Sequence, residues 1–165
     1  MEYTINLLDR IRHRYISHAV LKNYNSTEMV DAIPALVDTG AFNTMIDIAL
    51  AKRFGFILPM SIPISIGGNH GEAQGCIVHR LTVGDFTMSR IFALAYPFKD
   101  WLAGYIIIGT NVLNNWDFTI SRVDNLIRLS ERIPEDAPNK AHPYQNYFTE
   151  GEYVAVQDEM IDAVS

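Results

Sequence analysis

Residues 35–41 read Ala35-Leu36-Val37-Asp38-Thr39-Gly40-Ala41, and residues 105–113 read Tyr105-Ile106-Ile107-Ile108-Gly109-Thr110-Asn111-Val112-Leu113. Each is an apolar run of the sort that forms a buried strand, ending where the backbone must turn. The first delivers a carboxylate, Asp38, and Gly40 lets the chain bend closely around it. The second meets Gly109 and passes into a short helix. A single Asp after a strand is ordinarily a turn former or a helix cap. Here both elements occur in order, 71 residues apart from Asp38 to Gly109, with a glycine-rich hairpin sequence between them, which is a more specific signal than either alone.

Outward from these two stretches the pattern is mostly strand. Residues 16–24 and 29–37 are strand-like around a polar turn at 25–28. Asp47 is placed to cap a helix over 48–54, with Ala49, Leu50 and Phe54 on one face and Gly55 as its stop. A strand-like stretch around Pro59 and Pro63 follows, then the glycine-rich residues 67–75. Strands over 76–83 and 86–94 flank Gly84-Asp85, a two-residue hairpin turn. A helix over 110–116 and two strands around Arg122-Val123-Asp124 close the body, and Ile5, Leu8 and Ile11 sit at helical spacing near the N-terminus. Many short strands with regular turns and few short helices make an all-β domain.

With 165 residues, 48% of them hydrophobic, the chain has enough apolar material for one packed domain. Residues 1–130 hold 11 acidic and 11 basic side chains, whereas 131–165 hold 8 acidic against Arg132 and Lys140. The body is thus neutral with no basic stripe, which argues against nucleic acid as a partner. No apolar run approaches membrane-spanning length, so no membrane association is expected. Cys76 is the one cysteine and the five histidines show no ligand spacing, so neither a metal nor another cofactor is expected. With no basic region leading an apolar stretch at the N-terminus, the cytoplasm is the expected compartment. The change in charge, with Pro134, Pro138 and Pro143 beside it, divides the chain into an extension (1–14), a body (15–133) and an acidic tail (134–165).

On the motifs Leu36-Val37-Asp38-Thr39-Gly40-Ala41 and Ile107-Ile108-Gly109-Thr110-Asn111-Val112-Leu113, the chain resembles the retropepsin-like aspartic proteases over roughly residues 16–130. The segment 50–55 and the closing strands are also similar to bacterial members. The resemblance implies a closed β-barrel with one or two short helices, and a peptide or protein substrate. Carboxylate-driven peptide hydrolysis needs two carboxyl groups sharing one proton, one as base toward water and one as acid toward the carbonyl oxygen. This chain has a single Asp-Thr-Gly. The resemblance therefore implies a homodimer in which Asp38 of each chain completes the dyad. It also implies that Thr39 bonds across the dyad and that Gly40 allows close backbone approach. Ala41 offers no hydroxyl to an ionised Asp38, so the expected activity optimum lies nearer about pH 5–7 than at strongly acidic pH. Ile107, Ile108, Gly109 and Asn111 form the structural second motif.

Gly67, Gly68, Asn69, His70 and Gly71 head the glycine-rich stretch that the resemblance makes a flap over the substrate. His70 and Glu72 make it more polar than a retroviral flap tip. Cys76 reads as a small apolar residue rather than a nucleophile. His79 and Arg80 are expected to face solvent by alternation, and Trp101 and Trp116 to anchor a core or an interface. The tail admits three readings: a solvated extension, an added strand, or a segment lying across the cleft. The rival functions are a binding or scaffolding module that keeps the fold without a competent dyad, and a different β-domain in which Asp38 is only a turn residue.

Overall fold

The computed structural model describes residues 2–8, 14–23, 27–66, 68–114 and 116–131. The expectations for Ile11, for Gly67, for the boundary at 133 and for the acidic tail lie outside these residues.

Ten strands and two helices follow one another along the described chain: β1 (Glu2–Asn6), β2 (Ile16–Lys22), β3 (Met29–Val37), β4 (Met45–Asp47), α1 (Ile48–Phe54), β5 (Gly55–Ile66), β6 (Asn69–Val83), β7 (Phe86–Tyr96), β8 (Ile106–Ile108), α2 (Thr110–Leu113), β9 (Trp116–Ser121) and β10 (Leu126–Glu131). The larger sheet runs β2-β3-β8-β4-β7-β6, and β2 pairs back onto β6, so these six strands close a barrel. The all-β expectation and the closed barrel are both met. The pairs β3–β8 and β4–β7 are parallel and the rest of the barrel is antiparallel.

β6 is the spine of the molecule. Along one edge it pairs with β7 from Gln74 to Val83. Along the other it pairs with β5 from Asn69 to Val78, then hands over to β2 from Arg80 to Val83. β5 lies outside the barrel as an edge strand. That position explains how it carries two prolines, since an edge strand need not donate every N–H to a ladder. Pro59 falls where the β5–β6 register shifts, between Ile57 and Ser61.

Several local expectations hold. The Asp47 carboxylate accepts from Ala49 N–H at 3.1 Å, as a capping residue should. Gly84, at φ +60°, supplies the left-handed residue of the tight β6–β7 turn. Gly55 ends α1, but in extended conformation. It is glycine because a Cβ there would stand 2.9 Å from the Ile77 carbonyl oxygen and 3.0 Å from that of Ala51. Among the described residues no helix is long and apolar enough to cross a membrane.

Four expectations are corrected. Residues 2–6 are a strand rather than a helical turn. β1 pairs with β10 from Glu2↔Ser130 to Asn6↔Leu126, and it buries Ile5 completely. On α1 the buried residues are Ala51 and Phe54, while Ala49 faces solvent. The helix over 110–116 is only the four residues of α2, because β9 begins at Trp116. His79 is buried and Arg80 half-buried, because His79 stands at the point where β5 gives way to β2 along β6. Its Nδ1 lies 2.9 Å from Asn23 Oδ1, and Asn23 Nδ2 in turn donates to the Arg53 carbonyl at 3.0 Å. These side chains close the gap between the two partner strands. Of the tryptophans, Trp116 is buried, while Trp101 is half-exposed beneath the Arg14 guanidinium, 3.8 Å from its ring.

Candidate active site

The parallel pairing of β3 with β8 sets Leu36 against Ile107 and Val37 against Ile108. The ladder continues one step further, with Asp38 N–H donating to the Ile108 carbonyl at 3.0 Å. Two apolar strands thus end side by side, one at Asp38 and the other at Gly109. Val37 and Ile108 are buried in the main core. Asp38 itself is half-buried, while Thr39 and Gly40 are exposed. Its Oδ1 accepts from Gly40 N–H at 2.9 Å, and its carbonyl accepts from Ala41 N–H at 3.2 Å. A side-chain Cβ on Gly40 would come 3.2 Å from that same Oδ1.

The loop from Asp38 to Thr44 is pinned onto the start of α2. Thr110 N–H donates to the Ala41 carbonyl at 2.8 Å, and Asn111 N–H donates to the Phe42 carbonyl at 3.1 Å. The Asn111 side-chain oxygen accepts from Thr44 N–H at 2.7 Å and from the Thr44 hydroxyl at 2.8 Å, while Asn111 Nδ2 donates to the Phe92 carbonyl at 2.9 Å. Thr44 Oγ1 accepts from Gly109 N–H at 3.1 Å. Gly109 has no room for a side chain, since a Cβ would stand 2.5 Å from the Asn43 carbonyl carbon and oxygen. The amide of Asn111 therefore ties together the Asp38 loop, α2 and β7. Phe42, held by its backbone, exposes its ring.

The glycine-rich stretch is an arm of a long hairpin rather than a loop. β5 and β6 pair out to Ser65↔His70 and Ile66↔Asn69, with Gly68 in the turn beyond them. Gly68 takes φ +83° there, and the His70 side chain is exposed. Gly71 is half-buried one pair further in, opposite Ile64. Below the tip, the hairpin and the Asp38 loop share an apolar cluster. Leu36, Ala41 and Ile107 come from the loop side, and Ile62, Ile64 and Ala73 from the hairpin. The structure thus brings Asp38, Thr39, Gly40 and Ala41 together with Ile107, Ile108, Gly109 and Asn111. It sets Gly68, Asn69 and His70 farther out along the hairpin.

Cys76 is buried and its thiol is pushed up to about 12 by loss of solvation, so it stays protonated and unreactive at neutral pH. Among the described residues no group of three His, Cys, Asp or Glu could hold a metal. Two residues that sequence patterning did not single out belong to this region. Thr44 is a buried hydroxyl in a stretch with no period to betray it. Tyr96 lies against the backbone of Gly71, and only the neighbouring Pro97 marks it as the end of a strand.

The sequence profile of a family described as aspartyl protease matches residues 28–112, more than half of the chain, a span that holds the first motif and all of the second but Leu113. Comparison with curated proteins gave no match. Among solved structures, a retropepsin-like aspartic protease from Rickettsia conorii is similar with a TM-score of 0.52 at 18% identity, covering 78% of this chain and 88% of that one. At that identity the likeness is one of fold.

Proposed function

This chain belongs to the aspartyl protease family, and from that premise we propose that it is a homodimeric aspartic endopeptidase acting through Asp38 of each protomer. The observation that carries the reading is the junction of β3 and β8. It presents one half-buried carboxylate on a loop fixed by the hydrogen bonds of Thr44, Gly109 and Asn111. A single Asp-Thr-Gly per chain supplies half of a dyad, and a two-fold axis supplies the other half.

In the dimer the two Asp38 carboxyls share one proton, because like charges about 3 Å apart do not both ionise. The ionised carboxylate takes a proton from water as the water oxygen attacks the peptide carbonyl carbon. The protonated carboxyl gives its proton to the carbonyl oxygen. Collapse of the tetrahedral adduct breaks the C–N bond, with a proton returned to the leaving amine. Gly40 N–H orients the carboxylate, Thr39 bonds across the axis, and Ala41 lies beneath the substrate backbone. The β5–β6 hairpin, with Gly67, Gly68, Asn69, His70 and Gly71 at its end, serves as the flap. Support for that role comes from the apolar cluster it shares with the Asp38 loop. Ile107, Ile108, Gly109 and Asn111 form the platform under the loop.

The test is digestion of a diverse peptide mixture at pH 4 to 7, read by mass spectrometry, for the wild type and Asp38→Asn, with sedimentation to fix the oligomeric state. Cuts made only by a dimeric wild type establish the reading. Equal cutting by both proteins removes Asp38 from the chemistry. Silence from both, with a monomer in solution, leaves a peptide-binding or scaffolding module on the same fold.

A further inference from the structure

β6 and β7 run as a paired ladder from Val83↔Phe86 to Gln74↔Ala95 and then part. Beyond that point β7 continues alongside β4, with Tyr96 against Asp47, while residues 69–73 of β6 pair with β5 alone. The two strands form a fork, with the barrel on one prong and the hairpin on the other. The Tyr96 side chain fills it. An added Cβ on Gly71 would stand 3.0 Å from Tyr96 Oη and 3.2 Å from its Cε2.

Gly71 has no left-handed φ, so the backbone does not demand glycine there. What excludes a side chain is the ring. The same face of β6 carries Ala73 and Gly75, and a Cβ on Gly75 would meet Met60 Cγ at 2.8 Å and Phe92 Cε2 at 3.3 Å. Small residues on this face receive large side chains from below, Met60 and Phe92 near the barrel and Tyr96 at the fork. Tyr96 belongs to the fixed prong. Its ring meets Phe98 edge-on at 6.0 Å, and its carbonyl accepts from Phe98 N–H at 3.0 Å.

We propose that Tyr96 is a positioning residue that sets the height of the β5–β6 hairpin above the Asp38 loop, with Gly71 kept as glycine to seat its ring. This deepens the peptidase reading and rests on it for its effect on substrate. The hairpin joins the barrel through β6 past Gln74, so a ring wedged at the fork acts as its stop. Raising the hairpin widens the space over the cleft and weakens the hold on a peptide, while the Asp38 pair stays in place. The expected signature is a change in KM with much less change in kcat.

Gly71→Val tests this, because a β-branched residue suits a strand and meets the Tyr96 ring as its nearest obstacle. For a peptide that the wild type cleaves, KM rises by roughly tenfold and kcat changes by less than about threefold. Adding Tyr96→Ala to Gly71→Val brings KM back toward the wild-type value, and adding Tyr96→Phe brings it back in part, since Oη is the nearest contact. Amide hydrogen exchange gives a readout free of catalysis: Gly71→Val speeds exchange within 61–73 and leaves 76–83 as before, and Tyr96→Ala reverses it. Additive defects in the double variant, or exchange that is unchanged or faster throughout the barrel, overturn the proposal. If the wild type cleaves nothing, the peptidase reading falls, and the exchange experiment still decides the role of Tyr96.

Discussion

The side-chain oxygen of Asn111 accepts two hydrogen bonds from Thr44, one from its N–H at 2.7 Å and one from its hydroxyl at 2.8 Å. The same hydroxyl oxygen accepts from Gly109 N–H, so a single buried threonine joins the loop after β3 to the glycine after β8. Thr44→Val keeps the shape and removes the hydroxyl, which leaves the Gly109 N–H without that acceptor in a buried place. The expected cost is about 1–3 kcal/mol, read as a lower urea midpoint with an unchanged m-value. Asn111→Ala removes the amide's bonds to Thr44 and to Phe92 and costs more than Thr44→Val.

Gly109→Ala fails by collision rather than by lost polarity. The added Cβ would stand 2.5 Å from the Asn43 carbonyl and 2.8 Å from that of Ala41, both backbone atoms of the loop carrying Asp38. The loop can yield only by breaking its bonds from Thr110 and Asn111. A loss on the order of 3 kcal/mol or more is expected. Any folded fraction should show a kcat loss larger than that of Thr44→Val, because the displaced segment is the one that aims the carboxylate.

Much of this arrangement is visible in the sequence because it is local. The runs 16–24, 29–37, 76–83 and 86–94 are rich in apolar residues. Gly84-Asp85 and the Asp47 cap are short-range signals that need no partner to be read. What stays hidden is non-local. β4 is three residues, too short for a period, and it exists because β7 and β8 flank it. β1 buries Ile5 through its pairing with β10, more than a hundred residues away. The Asp38 and Gly109 motifs are legible as words, but Thr44, which links them, is an isolated hydroxyl. The burial of His79 follows from a change of partner strand that alternation along β6 does not record.

That burial has a pH consequence. Loss of solvation lowers the His79 pKa below its ordinary value near 6.5. The unfolded chain therefore takes up a proton at a higher pH than the native chain does. This group's contribution is fully present above pH 6.5 and is lost as pH falls through the lowered native value. Unfolding free energy should thus decline on acidification from pH 6.5 down to that lowered value, by no more than about 1.4 kcal/mol per pH unit for one proton, and level off below it. The decline reflects burial of the charged imidazole. His79→Gln should flatten this part of the stability profile, measured by urea unfolding from pH 5 to 7.5.

The N-terminal strand packs into the main core. Ile5 is fully buried in the main core, Leu7 nearly so, and Leu7 N–H donates to the Asn125 carbonyl at 2.9 Å. Thr4 N–H donates to Asp85 Oδ1 at 2.6 Å, while a Cβ on Gly84 would collide with the Thr4 carbonyl oxygen. The β6–β7 turn is therefore built against β1, while Gly84 and Asp85 keep an exposed side. Ile5→Ala should cost about 2–5 kcal/mol by opening a cavity between β10 and that turn. Asp85→Ala should cost about 1 kcal/mol by freeing one edge N–H that water can reach. If β1 were a dispensable extension, both substitutions would be silent in thermal unfolding. Burial of Ile5 predicts a clear drop in midpoint for the first and a small one for the second.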